Sequence, residues 1–103
     1  MQVPLQITFR NIEKSEALAA RIRNDSVKLE RIHPHINRFR VSIQEMRRHH
    51  ARGRPFEVMI EVRMPGRELA ATKEDEDVYV AMREAFAAVR RQLEDAAREM
   101  KLA

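Results

Sequence analysis

The chain has no cysteine and no tryptophan, only two glycines and four prolines, and aromatic residues make up 5% of it. The missing cysteine excludes a disulfide framework, a Cys-ligated zinc and a thiol nucleophile. With Gly53 and Gly66 as its only glycines, the chain has no Gly-rich loop to cradle a phosphate and no Gly-x-Ser-x-Gly elbow around Ser15, Ser26 or Ser42. No apolar run approaches the ~18 residues that cross a bilayer. The first ten residues alternate apolar and polar types, unlike a signal peptide. The four histidines fall as His33/His35 and His49/His50, without the i, i+4 helical spacing of a metalloenzyme motif. A cytoplasmic protein that is not an enzyme and holds no metal or cofactor is expected. Its 103 residues, 44% of them hydrophobic, suffice for one compact domain spanning 1–103.

Charge is plentiful but unevenly placed. Twenty Lys plus Arg against sixteen Asp plus Glu give a net +4. Residues 31–67 carry nine Arg against Glu45, Glu57 and Glu61, a net +6, whereas residues 68–77 are net −4. Sixteen of the twenty cations are Arg, whose planar fork matches phosphate oxygens in a way that Lys cannot copy. Two readings fit a basic middle segment: a surface for a polyanion such as nucleic acid, or a solvated Arg-rich face with no partner.

Hydrophobic periodicity supplies the elements. Val3, Leu5, Ile7 and Phe9 alternate with polar residues as a half-buried strand does, and Pro4 puts that end at an edge. Ser15 is a suitable N-cap, and Leu18, Ile22, Ser26 and Leu29 follow at helical spacing, so a helix is predicted from Ser15 to Ile32. His33-Pro34-His35 ends it, since a residue before proline resists helical torsions. Phe39, Val41 and Ile43 mark a second strand, and residues 47–55 a basic turn in which His49 and His50 add charge below about pH 6.5. Residues 56–64 form the clearest strand, Pro65-Gly66 a tight turn, and Glu68 to Thr72 a short fourth strand. From Val78 to Met100 one apolar stripe recurs every three or four residues, with Asp77 as N-cap. The order β-α-β-β-β-α predicts an α+β fold: a four-stranded mixed sheet, its first two strands parallel, with two helices packed on one face.

That arrangement leaves an outward sheet face carrying Gln6, Thr8, Arg10, Arg38, Arg40, Ser42, Gln44, Arg63 and Thr72, polar and locally cationic, interrupted by Glu57 and Glu61. Phe9, Phe39 and Phe56 are in register with the core, and Tyr79 and Phe86 lie on or beside the helical stripe. No aromatic platform remains for stacking single-stranded bases, so any nucleic-acid contact is to phosphates and folded shape. The acidic run Glu74-Asp75-Glu76-Asp77 lacks the Gly-punctuated ligand spacing of a calcium loop. It reads better as anionic charge at a helix N-terminus than as a cation site.

The stretch Glu68-Leu69-Ala70-Ala71-Thr72-Lys73-Glu74-Asp75-Glu76-Asp77-Val78-Tyr79-Val80-Ala81-Met82 resembles the strand-to-helix junction of the bacterial hibernation promoting factor and ribosome-associated inhibitor A family. Arg91-Gln92-Leu93, Ser15-Glu16-Ala17-Leu18 and Lys28-Leu29-Glu30 match the same family at corresponding places, and the similarity runs through nearly all of residues 1–101. The resemblance implies a double-stranded-RNA-binding-like fold on the small ribosomal subunit, in the channel used by messenger and transfer RNA, silencing translation in stationary phase or stress. It carries over Lys28, Arg38, Arg40, Arg91 and Lys101 as RNA contacts; Arg90 and Arg98, with Arg47, Arg48, Arg52 and Arg54 of the basic turn, complete the expected RNA-binding set. The chain departs from the family where lysines usually follow Arg-Gln-Leu: Glu94, Asp95, Ala97 and Glu99 stand there instead. It is also similar to relatives in which this domain precedes a cold-shock domain, so these residues are either a short form or one part of a longer chain.

The leading expectation is therefore a translation inhibitor that binds small-subunit ribosomal RNA through its Arg-rich surface. The alternative is a protein-interaction or homodimerisation module, docking through the acidic junction and last helix without RNA. A general duplex-RNA binder is a third reading.

Overall fold

The computed structural model describes residues 4–46 and 55–102, the side chains of the last three of these excepted. Strand β1 (Leu5–Arg10) leads into helix α1 (Glu16–Ile32), strands β2 (Arg38–Glu45), β3 (Phe56–Met64) and β4 (Arg67–Asp75) follow, and helix α2 (Val78–Leu102) ends the chain. The sheet order is β1-β2-β3-β4, with β1 and β2 parallel and the other neighbours antiparallel, as the periodicity predicts. The parallel pair needs a crossover, and α1 supplies it.

Register aligns the apolar side chains in rungs. Leu5, Phe39, Val62 and Leu69 share one rung, and Ile7, Val41, Ile60 and Ala71 the next. Both helices cover this face: Leu18, Ile22 and Leu29 from α1 and Met82, Val89 and Leu93 from α2 join the same core. Phe39 and Phe86 stack across the layers with centroids 6.2 Å apart. Buried Ser26 fits the α1 stripe because its hydroxyl donates to the Ile22 carbonyl at 2.7 Å.

Local chemistry fixes the ends. The Ser15 hydroxyl accepts from the Leu18 N–H at 3.2 Å, the expected N-cap. At the far end of α1 the His33 N–H donates to the Leu29 carbonyl, and His33 Nδ1 accepts from the His35 N–H at 3.3 Å. His33, in the turn after α1, is only 4% exposed. Between β3 and β4, Gly66 sits at φ 77°, the left-handed value that the residue after proline takes in a type II turn.

The fourth strand is longer than predicted. It reaches Asp75 rather than stopping at Thr72, so that Lys73, Glu74 and Asp75 pair with Val58, Glu57 and Phe56. The N–H and C=O groups of β3 need partners along its whole length, and that demand overrides the weak strand propensity of acidic residues. The acidic run is therefore divided, with Glu74 and Asp75 in the sheet and Glu76 and Asp77 at the joint. Asp77 Oδ1 accepts from the Tyr79 N–H and Asp75 Oδ1 from the Asp77 N–H, each at 2.9 Å, which makes Asp77 the cap of α2. Among the described residues no group of three His, Asp or Glu side chains is placed to hold a metal ion, and no helix is long and apolar enough to cross a membrane.

Candidate nucleic-acid interface

The face of the sheet away from the helices is read rung by rung from the register. Arg38, Arg63 and Glu68 share one rung; Gln6, Arg40, Glu61 and Ala70 the next; Thr8, Ser42, Met59 and Thr72 a third; Arg10, Gln44, Glu57 and Glu74 a fourth. The face is thus more evenly charged than the locally cationic surface, interrupted by Glu57 and Glu61, that the sequence suggests. Four arginines face four glutamates, because β4 adds Glu68 and Glu74, which share the outward parity of Thr72, to Glu57 and Glu61.

The charges are nevertheless separated across the sheet. Strands β1 and β2 present Arg10, Arg38 and Arg40 with no outward carboxylate, and β3 and β4 present all four glutamates with a single arginine. That arginine is occupied: Arg63 Nε donates to Glu68 Oε1 at 3.0 Å. Glu57 accepts from Gln44 at 3.0 Å. Arg10, Arg38 and Arg40 make no ion pair with any described residue. A shallow depression of about 200 Å³ is lined by Gln6, Thr8, Arg10, Arg40, Ser42 and Met59, with Glu61 as its one carboxylate. Its hydroxyl and amide groups suit phosphate and ribose oxygens, and no aromatic ring lines it.

The remaining expected contacts lie elsewhere. Lys28 is on α1, 4.0 Å from Asp25. On α2, Arg90 pairs with Glu94 at 3.5 Å and Arg98 contacts Asp95, while Arg91 is exposed and makes no ion pair with a described residue. The helical layer and the open sheet face are opposite sides of the molecule, so the structure does not bring the expected set into one patch. Arg47, Arg48, Arg52 and Arg54, with His49 and His50, lie outside the described residues, as does the side chain of Lys101. Of the nine arginines in 31–67, Arg38, Arg40 and Arg63 gather on the open face, whereas Arg31 ends α1 and Arg67 pairs with Glu99 at 2.8 Å.

Two features escaped the sequence. Arg10, placed on the outward face by the sequence but left out of the expected RNA-binding set, belongs with Arg40 in the depression. Gln92, in the segment matched to the family, donates to the Ala70 carbonyl at 2.8 Å and so anchors α2 on β4. No local pattern announces a bond between residues so far apart.

Comparison with known proteins fits this arrangement. Residues 5–101 match the family described as sigma 54 modulation protein / S30EA ribosomal protein, and the chain belongs to that family. This is the ribosome hibernation family, whose members are ribosome-associated and act in translation regulation. The fold is similar to a ribosomal subunit interface protein from Coxiella burnetii, with TM-score 0.72 and 20% identity over 93% of this chain and 99% of that one. It is also similar to the N-terminal domain of Protein Y from Thermus thermophilus, with TM-score 0.68 and 21% identity over 92% of this chain and 98% of that one. No curated protein matches the chain significantly.

Proposed function

We propose that this protein is a translation inhibitor that binds small-subunit ribosomal RNA and acts by occupancy, filling the channel that messenger and transfer RNA use. Family membership over residues 5–101 carries the reading. Arg10, Arg38 and Arg40, without an ion pair among the described residues and on a face without stacking rings, support contact with the RNA backbone rather than with bases. Inhibition then needs no chemistry. A domain whose cations are held by strand register meets phosphates at fixed spacings and excludes competing ligands while it stays bound. Residues 1–103 act as one domain in this reading, with no cofactor.

The departures at 94, 95 and 99 bear on affinity. Glu94, Asp95 and Glu99 each engage a cation, namely Arg90, Arg98 and Arg67. Among the described residues the helical layer is thereby close to self-neutralised, which leaves the β1–β2 side of the sheet as their principal cationic contact. Pelleting with purified small subunits tests this: charge reversal at Arg38 and Arg40 should release the protein, whereas reversal at Arg90 should change little. A protein–protein module without RNA predicts the same pelleting for all of them.

A further inference from the structure

The two edges of the sheet are treated differently. On β4 the odd-numbered residues bond to β3, so the backbone groups of Glu68, Ala70, Thr72 and Glu74 face outward. Gln92 covers that edge by bonding to the Ala70 carbonyl. On β1 the Phe39 N–H donates to the Pro4 carbonyl at 3.1 Å, which fixes the phase of the parallel ladder. Residues 4, 6, 8 and 10 therefore face β2, and the N–H and C=O groups of Leu5, Ile7 and Phe9 point away from the sheet. They meet no hydrogen-bond partner among the described residues.

Beside this edge runs an open groove of about 830 Å³ between β1 and α1. Leu5, Ile7, Phe9 and Ala19 give it an apolar wall, and Lys14 and Arg23 stand along it with no carboxylate in the lining. Leu5, Ile7 and Phe9 are only half-buried, although Phe39, Val41 and Ile43 on the same rungs are at most 1% exposed. Edges of this kind are usually blunted by charge, proline or a bulge. Pro4 does not blunt this one, because its nitrogen faces β2.

We propose that the β1 edge is a strand-addition site for an extended acidic segment of a protein partner. Free N–H and C=O groups at three alternate residues supply a ladder and the half-buried side chains supply apolar contact. Arg23, which makes no ion pair with a described residue, selects carboxylates, while exposed Lys14 is shared with Glu16 at 3.5 Å. A second copy of this chain fits less well, since its own β1 ends in Arg10 and carries no carboxylate to meet Arg23. The site is separate from the ribosomal RNA reading and stands or falls without it.

The test uses two synthetic peptides, Glu-Val-Thr-Val-Glu-Val-Thr-Val-Glu and its counterpart with Lys for every Glu, added to isotope-labelled protein. Amide exchange at Leu5, Ile7 and Phe9 should slow about tenfold with the acidic peptide, which should also bind about tenfold more tightly than the basic one. Ile7→Pro removes an outward N–H that the β1–β2 ladder does not use, and should abolish binding while the β2–β4 resonances stay in place. Arg23→Glu, which alters no backbone group, should reverse the preference between the peptides. Unchanged exchange at the three amides, equal binding of both peptides, or slowing that appears without peptide as protein concentration rises would each overturn the proposal; the last assigns the edge to a second copy.

Discussion

Arg67 Nη2, at the start of β4, lies 2.8 Å from Glu99 Oε2 near the end of α2. Glu99 stands where the family resemblance leads one to expect lysine, so one substitution both removes a cation and occupies another. Glu94 and Asp95 do the same to Arg90 and Arg98.

Reversing these three carboxylates should therefore strengthen ribosome binding. Replacing Glu94, Asp95 and Glu99 together by Lys should raise the salt concentration at which the protein leaves small subunits. The slope of log affinity against log salt should steepen by on the order of one counterion per new phosphate contact. The native ion pairs are exposed, so each contributes at most about 1 kcal/mol and the variant should remain folded. A salt series followed by pelleting reads the slope, and circular dichroism the fold.

Gln92 is assigned to architecture rather than to RNA. Gln92→Ala leaves the Ala70 carbonyl to water and should cost about 1 kcal/mol of stability, seen as a lower denaturation midpoint in urea. Pelleting with small subunits should be unchanged. Loss of binding at full stability would instead make Gln92 part of the contact.

The two helix caps should matter similarly to stability. Ser15→Ala and Asp77→Ala each remove an acceptor for an N-terminal N–H and should cost about 1 kcal/mol. For a chain of this size that lowers Tm by roughly 4–8 °C. Asp77→Asn keeps the acceptor and should recover most of the loss.

His33 gives the fold a pH dependence. Burial, with the neighbouring His35 as a lesser cause, lowers its pKa below the ordinary 6.5. The unfolded chain therefore takes up this proton more readily than the folded one. The stabilising contribution is complete above pH 6.5 and is lost as pH falls through the lower folded value. Thermal stability should decline on acidification below pH 6.5, and His33→Gln should flatten that decline at the cost of some stability at neutral pH.

Fold was legible in the sequence wherever periodicity or a capping residue carried the information. Ser15, the Pro65-Gly66 turn and the stripes of both helices act through neighbours three or four residues away, so the sequence displays them directly. The length of β4 was not legible, because Lys73-Glu74-Asp75 is strand only through its pairing with β3. The site was legible as a set of cations but not as a field. Whether a guanidinium is free depends on partners such as Glu68 for Arg63 and Glu99 for Arg67, and both pairs join separate elements. The i, i+4 pair Arg90–Glu94 was readable from spacing alone.

Ribosome binding through the sheet rests on Arg38 and Arg40, which make no ion pair among the described residues. Co-sedimentation of the Arg38→Glu/Arg40→Glu double variant with purified small subunits, across a salt series and beside the wild type, measures their part directly. The account predicts wild-type pelleting that weakens steeply with salt and a folded double variant that stays in the supernatant at physiological ionic strength. A double variant that pellets like the wild type, with the same salt slope, would contradict it.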